Sequence, residues 1–139
     1  MAIQQTMCSS FKQQLFLAQH DLSTDVIKIA LYTSAANIGP DTTVYTTTNE
    51  ITGTGYVAGG NTLTGVTVAL SGTTAYVDFN DSTWAASSFT ARGALLYNSS
   101  KSNKAVAVLD FGADKTSSGT PFVIQMPTNT ATTALLRIA

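Results

Sequence analysis

The pattern that most constrains this chain is a succession of short β-branched and aromatic runs, separated by turn-forming residues, from residue 25 onward. The run Val26–Tyr32 is an example, since Ile27, Ile29 and Leu31 alternate onto one face of an extended strand. A parallel sheet would need crossover helices between its strands, and no helical periodicity separates these runs. Strand-like runs spaced by roughly 8–15 residues favour a β-sandwich.

Eight runs qualify as strands. Two of them form a predicted hairpin around Ser71-Gly72, because apolar residues alternate on both sides of that turn. The predicted strands are Val26–Tyr32, Thr43–Thr48, Thr62–Leu70, Thr74–Phe79, Ala91–Tyr97, Ala105–Phe111, Phe122–Met126 and Ala134–Ile138. The sequence thus predicts a mainly β protein, a single antiparallel β-sandwich or jelly roll of about eight strands with a short N-terminal helix.

The first part of the chain has a different pattern. Phe11, Leu15 and Ala18 recur at helical spacing, which predicts a helix over residues 8–20. Ser10 and Gln13 have the spacing of a capping box at its start. We therefore divide the chain into an N-terminal helix or arm, residues 1–24, and a β-sandwich domain, residues 25–139.

Composition narrows the class of protein further. Of 139 residues only 11% are charged, whereas Thr (23) and Ser (13) together make up about a quarter of the chain. The net charge of −1 argues against a basic nucleic-acid binder, and no run is long enough to span a membrane. Apolar residues, at 44%, suffice for a core. The surface is expected to be hydroxylated rather than ionic.

No pattern of catalytic residues emerges. The glycines of Gly53–Gly60 lack the spacing and the following helix of a dinucleotide loop, so a flexible loop or bulged turn is expected. The one histidine, His20, is expected to cap a helix end rather than act in catalysis. Cys8 is the one cysteine, so an intrachain disulfide is excluded, and we expect Cys8 to act as a small apolar side chain. The sequence predicts no enzyme and no cofactor.

Two groups keep alternative interpretations. The pairs Asp78 with Asp81 and Asp110 with Asp114 fit turn chemistry, with calcium binding or glycoside hydrolysis as alternatives. Trp84 is expected to be a core residue, and the alternative is a carbohydrate-stacking platform with neighbouring aromatic residues. The lysines of the 98–104 loop are expected to lie at a solvated hairpin tip.

Five segments carry a resemblance to a known group of proteins. They are Ile27–Ala36, Thr42–Glu50, Gly53–Gly60, Phe89–Asn98 and Ala105–Gly112. Together they cover most of residues 27–112, and they resemble small virion proteins of tailed bacteriophages. This resemblance implies a structural role in the particle. Capsid decoration (cement) proteins of this size are often small β-sandwich or jelly-roll domains, and tail, adaptor or fibre components share the same sequence texture.

The expected function is therefore that of a virion structural protein, most specifically a capsid decoration protein that stabilises the head. The alternative is a tail, adaptor or fibre-associated protein, with host carbohydrate as a ligand. Expected partners are the major capsid protein or other virion proteins and further copies of this chain, without direct contact to nucleic acid or membrane. The expected location is the virion, after synthesis in the bacterial cytoplasm. The predicted interface residues are Phe11, Leu15, Thr43, Tyr45 and Tyr56.

Overall fold

The computed structural model describes residues 2–139, and every pair of strands in it is antiparallel. The single α-helix, α1, spans Ser9–Phe16, and a 3₁₀ turn spans Ser99–Lys101. The strands are β1 Thr6–Met7, β2 Ile27–Tyr32, β3 Asn61–Thr62, β4 Thr67–Ser71, β5 Thr74–Asp78, β6 Ser82–Ser87, β7 Thr90–Asn98, β8 Lys104–Thr116, β9 Thr120–Ile124 and β10 Leu136–Ile138.

The largest sheet has five strands in the order β1-β8-β7-β2-β3 and contains most of the core. Its central strands β2, β7 and the first half of β8 are buried on both faces, which is why their sequences are nearly continuous apolar runs. Ile29 lies opposite Leu96, and Leu96 lies opposite Ala107. These strands are the structural centre of the protein.

The predicted hairpin is confirmed as β4 and β5, with Val68 opposite Val77 and Leu70 opposite Ala75. Gly72 occupies the turn with a φ of +58°, a left-handed conformation that glycine adopts at little cost. The C-terminal strand β10 pairs with the other edge of β5, so that Leu136 lies opposite Val77 and gives a three-stranded sheet in the order β10-β5-β4. We call it the small sheet.

The third sheet pairs β6 with β9 and supports an aromatic cluster. Trp84 is only 4% exposed, as the core interpretation predicted, and it packs edge-on against Phe89 and Phe122 with ring centroids 6.3 and 6.0 Å apart. Tyr56 stacks on its other side at 6.2 Å. A platform for sugar stacking needs an open ring face, and these neighbours cover Trp84.

The glycine-rich segment packs closely against two strands. A Cβ at Gly60 would lie 1.8 Å from the carbonyl oxygen of Ile29, and a Cβ at Gly55 would lie 2.4 Å from that of Ala86. Both glycines have positive φ, at +77° and +86°. The absence of side chains thus allows this loop to lie directly against β2 and β6, and no helix follows it, as expected.

Three predicted strands differ in the structure. The predicted strand Thr62–Leu70 is divided, since its start belongs to β3 in the largest sheet and its end to β4 in the small sheet. Thr43–Thr48 is a loop that touches the main sheet through one bridge, Val44 to Lys104, because its threonines face solvent and no neighbouring strand completes a ladder. The strand predicted to end at Phe111 continues to Thr116. Thr90 and Ala91 at the start of β7 pair with Thr116 and Lys115 in this extension, and the guanidinium of Arg92 lies 3.5 Å from Asp110 and 4.0 Å from Asp114. Both acids lie within β8, and Asp110 makes the local contact expected of turn chemistry, since its Oδ1 accepts a hydrogen bond from the amide of Gly112 at 2.9 Å.

The N-terminal helix is confirmed but shorter than predicted, because Ala18 takes a left-handed φ of +56° immediately after it. The predicted capping box is absent: Cys8 is the N-cap residue, no side chain caps the first turn, and the hydroxyl of Ser10 is buried without a partner. The helix instead forms because Phe11, which is 1% exposed, packs into the core.

The rest of the N-terminal segment is part of the main sheet. β1 pairs with β8, with Thr6 opposite Val108, and the amide of Cys8 donates to the carbonyl of Val106. Cys8 is fully buried, and burial raises its pKa to about 11, which makes the thiol inert at neutral pH. Residues 2–24 therefore pack on the β domain and do not project from it as an arm.

The architecture is mainly β, with one short helix and several antiparallel sheets, consistent with a β-sandwich. The jelly-roll strand order is not confirmed, since the sheets have five, three and two strands rather than two matched sets of four. Within residues 2–139, no helix has the length and apolar character that a membrane crossing requires.

Candidate assembly interface

The five predicted interface residues occupy two regions. Phe11 is buried in the core and Leu15 is half-buried on the same helix. Thr43 is exposed in the loop before β3, and its carbonyl accepts a hydrogen bond from the amide of Ala105. Tyr45 and Tyr56 are half-buried and come together on one carboxylate, that of Glu50. Glu50 was not among the interface residues predicted from sequence.

Glu50 is 9% exposed and accepts three hydrogen bonds. The hydroxyl of Tyr45 donates to Oε1 at 2.7 Å, the hydroxyl of Tyr56 donates to Oε2 at 2.5 Å, and the amide of Gly59 donates to Oε2 at 2.8 Å. No cation bonds this carboxylate within the described residues. The charge is stabilised by neutral donors, which ties the loops around residues 45 and 56 to each other.

Further tyrosines surround this carboxylate. The ring of Tyr97 stacks on Tyr45 with centroids 4.6 Å apart, and its hydroxyl donates to the carbonyl of Gly59 at 2.7 Å. Burial, together with the charge of Glu50, raises the pKa of Tyr97 to about 12. Burial and the same carboxylate also raise the pKa values of Tyr45 and Tyr56. All three phenols therefore stay protonated at neutral pH and act as donors, which suits a structural network.

A second polar network joins the helix to the main sheet through His20. The side-chain amide of Asn98, which is fully buried, donates to His20 Nδ1 at 2.9 Å and to Asp25 Oδ2 at 2.7 Å. His20 Nε2 then donates to Gln14 Oε1 at 2.8 Å. Lys101 Nζ lies 3.2 Å from Asp25 Oδ1, so this lysine is in an ion pair rather than free at a hairpin tip.

These contacts set the protonation state of His20. Burial lowers its pKa from 6.5, and Lys104 and Lys101 lower it further, while Asp25 acts in the opposite direction. Nδ1 faces an N–H donor, so a proton on that nitrogen would break the contact with Asn98. His20 is thus a neutral connector between α1 and β7, and not the helix-capping cation predicted from sequence.

Stability is expected to fall as pH decreases through the range around 6.5. The unfolded chain binds a proton on His20 more readily than the folded chain, so the folded state is favoured above pH 6.5 and loses that advantage below it. Between pH 7.5 and 5.5, we therefore expect the thermal midpoint to drop, and to drop less in a variant that lacks the imidazole. Calorimetry on the wild type and on His20→Gln measures this effect. An equally large drop in the variant would contradict the assignment.

The main exposed apolar surface lies on the small sheet. Two cross-strand rows share one face of it: Val68, Val77 and Leu136 form one row, and Leu70, Ala75 and Ile138 form the other. Leu136 is buried at 6% exposure and Val77 is half-buried against the core, whereas Val68, Leu70 and Ile138 are 54%, 72% and 53% exposed. We call these six residues the apolar face.

This apolar face adjoins an uncharged part of the chain. Residues 51–77 contain no Asp, Glu, Lys or Arg, and β4 is an edge strand of the small sheet. Natural edge strands usually carry charges or prolines that prevent pairing with other chains. β4 has neither, so the desolvation cost of covering this region is low.

Two other regions expose apolar groups. Phe16 and Leu17, at the end of α1, are 94% and 58% exposed. A groove of about 1180 Å³ runs between β8 and the C-terminal segment and is lined by residues that include Met7, Phe111 and Leu135. The periodicity of the helix does not reveal the exposure of Phe16, which follows from where the helix ends.

Comparisons with known proteins provide no family assignment. No protein-family model matches the chain, and no curated protein or solved structure is significantly similar to it.

Proposed function

We propose that this chain is a structural protein of a tailed-bacteriophage virion, and specifically a decoration protein that binds the outer surface of the capsid. The apolar face of the small sheet is the observation that carries this proposal. A folded chain with few charges and an apolar sheet face whose outer residues Val68, Leu70 and Ile138 are uncovered is suited to permanent packing against other subunits. Five sequence segments resemble phage virion proteins, and this resemblance is the reason for proposing a phage particle as the assembly.

The proposed contacts are made by the apolar face, with the exposed end of α1 as a second contact. The major capsid protein is the proposed partner, and further copies of this chain complete an oligomer. The Ser- and Thr-rich surface around these contacts can exchange hydrogen bonds with water for hydrogen bonds with a partner without desolvating ions. In this role the chain joins neighbouring capsid subunits and resists the internal pressure of packaged DNA.

Copy number tests this proposal against the alternative of a tail, adaptor or fibre protein. Quantitative mass spectrometry of intact virions and of tailless heads measures the ratio of this chain to the major capsid protein. For a decoration protein we expect abundance near that of the major capsid protein, and retention in tailless heads. A few to a few dozen copies per particle, lost together with the tails, would contradict the decoration role.

The fibre alternative includes host carbohydrate as a ligand, with Trp84 as the stacking residue. That residue is covered by Tyr56, Phe89 and Phe122, which argues against this version. Titration with a panel of host surface glycans tests it separately. Measurable glycan binding that is also found with isolated tails would favour the fibre role.

A further inference from the structure

A small polar pocket lies where the small sheet meets the segment after β9. Its volume is about 290 Å³. The oxygen-bearing side chains that line it include those of Thr67, Asp78, Asn80, Asp81 and Asn129. These residues come from three separate parts of the chain. The pocket therefore forms only in the folded protein.

Asp78 is the unusual member of this group. The residue is 3% exposed at the end of β5, and its Oδ1 accepts a hydrogen bond from the amide of Phe79 at 2.9 Å. Its other oxygen, Oδ2, is buried and has no hydrogen-bond partner. A buried carboxylate oxygen without a partner destabilises the folded state, because the water that it loses is not replaced. The protein itself supplies no partner for this oxygen, which leaves a bound cation or a proton to neutralise it.

Asp81 adds a second carboxylate to the same pocket. Its Oδ1 accepts a hydrogen bond from the amide of Met126 at 2.6 Å, which fixes the side chain at the pocket wall. The ion pairs among residues 2–139 involve Arg92 and Lys101, and neither contacts Asp78 or Asp81. Burial and the charge of Asp81 both raise the pKa of Asp78. Two acids thus share a pocket without a protein cation.

We propose that this pocket binds a calcium ion. The ligands are Oδ2 of Asp78, the remaining carboxylate oxygen of Asp81 and the side-chain oxygens of Asn80 and Asn129, with water in the other positions. Calcium takes six to eight oxygen ligands in flexible geometry, and carboxylates, amides and water are its usual ligands. Two carboxylates balance the charge of one divalent cation. The cation in turn gives the unpartnered oxygen of Asp78 a partner.

The site is not a cluster of acids alone. Among the described residues, no three His, Cys, Asp or Glu side chains gather closely enough to hold a metal. Amide oxygens must therefore complete the coordination. The side chain of Asn80 lies directly against Gly65, where a Cβ would come within 2.2 Å of it. Gly65 has a φ of +64°, so the turn before β4 favours glycine for both reasons.

Bound calcium would connect the end of β5 to the segment 126–129, which leads to β10. Because only the folded chain assembles these ligands, calcium binding stabilises the fold. The same ion would hold the small sheet, and with it the apolar face, in a fixed position. All of the proposed ligands belong to one chain, so calcium binding does not depend on the proposed virion role.

Isothermal titration of the chelator-treated protein with CaCl₂ at pH 7.0 is the direct test, paired with thermal unfolding in CaCl₂ or EDTA. We expect one ion per chain and, at a hundredfold excess over the Kd, a midpoint about 5–10 °C higher than in EDTA. Equal ionic strength in NaCl controls for screening. Titration with MgCl₂ tests selectivity, and we expect binding at least tenfold weaker.

Two variants locate the site. Asp78→Asn keeps the shape of the side chain, and we expect it to weaken calcium binding at least tenfold while unfolding in EDTA at or above the wild-type temperature. Asp81→Asn is a second variant with the same expected loss, in case the first fails to fold. Asp114→Asn, an exposed acid beside Arg92, is the matched control and should bind like the wild type.

Two results would overturn the proposal. The first is no heat of binding and no midpoint shift at millimolar CaCl₂, which would mean that Asp78 is neutralised by a proton instead. In that case Asp78→Asn would abolish the pH dependence of stability that the Asp78 carboxyl causes. Calcium would then stabilise neither the wild type nor the variant. The second is calcium binding that is unchanged in both pocket variants, which would place the ion elsewhere.

Discussion

Replacing Trp84 with alanine is expected to lower the free energy of unfolding by about 3–5 kcal/mol. Trp84 is 4% exposed and contacts three aromatic rings, which belong to Tyr56, Phe89 and Phe122. The indole joins the β6–β9 sheet to the glycine-rich loop and to the residue before β7. Its removal leaves a cavity. The three rings cannot fill this cavity because they are fixed to separate segments of the backbone.

Chemical denaturation monitored by circular dichroism measures this effect, because removal of the only tryptophan eliminates its fluorescence signal. Thr83→Ala is the matched control, since Thr83 is the exposed neighbour on the same strand. The control is expected to change stability by no more than about 0.5 kcal/mol. An unchanged denaturation midpoint for Trp84→Ala would place the indole at the surface and restore the stacking-platform interpretation.

Replacing Glu50 with alanine is expected to cost about 3–5 kcal/mol, because three donors lose a charged acceptor at once. Two of these donors are the hydroxyls of Tyr45 and Tyr56, and the third is the amide of Gly59. Each is left in a partly or fully buried position where water reaches it poorly. The loop containing residues 53–60 is expected to loosen, which increased hydrogen exchange at its amides would report.

Two further variants separate the network from the general effect of mutation. Tyr45→Phe removes one donor and leaves the other two satisfied, so we expect a smaller cost of about 1–2 kcal/mol. Thr47→Ala, an exposed position in the same loop, is the control and should be close to neutral. If Glu50→Ala costs no more than Tyr45→Phe, the carboxylate is not the centre of this network.

The parts of the fold that the sequence predicted are those where local pattern and burial agree. The alternation in Val26–Tyr32 predicted β2, and the apolar residues on both sides of Ser71-Gly72 predicted the β4–β5 hairpin, although β4 begins at Thr67 rather than at Thr62. The helix was found because Phe11 and Leu15 mark its buried stripe. Its early end depends on the left-handed turn at Ala18, which no sequence pattern indicated.

The parts that failed depend on contacts between distant residues. Thr43–Thr48 has strand-like composition, yet β-branched residues form a strand only where a partner completes the ladder. The extension of β8 past Phe111 depends on pairing with Thr90 and Ala91 of β7, which lie more than twenty residues away in sequence from Thr116 and Lys115. Pairing across such separations cannot be deduced from one run at a time.

The candidate interface shows the same division. Tyr45 and Tyr56 were singled out for their positions in Thr-rich loops, but their meeting point, Glu50, became visible only in three dimensions. The apolar face was hidden for a different reason. Its residues alternate correctly for a buried strand, and sequence alone does not tell which faces of a sandwich remain uncovered.

The central claim is that the apolar face of the small sheet binds the capsid, and a binding isotherm tests it most directly. Purified chain is titrated onto tailless heads that lack it, comparing the wild type with the double variant Leu70→Asp and Ile138→Asp. Val57→Asp is the control, since Val57 is 77% exposed and lies outside the apolar face. We predict saturable binding by the wild type and the control, and at least tenfold weaker binding by the double variant. Equal binding by all three folded proteins would contradict the claim.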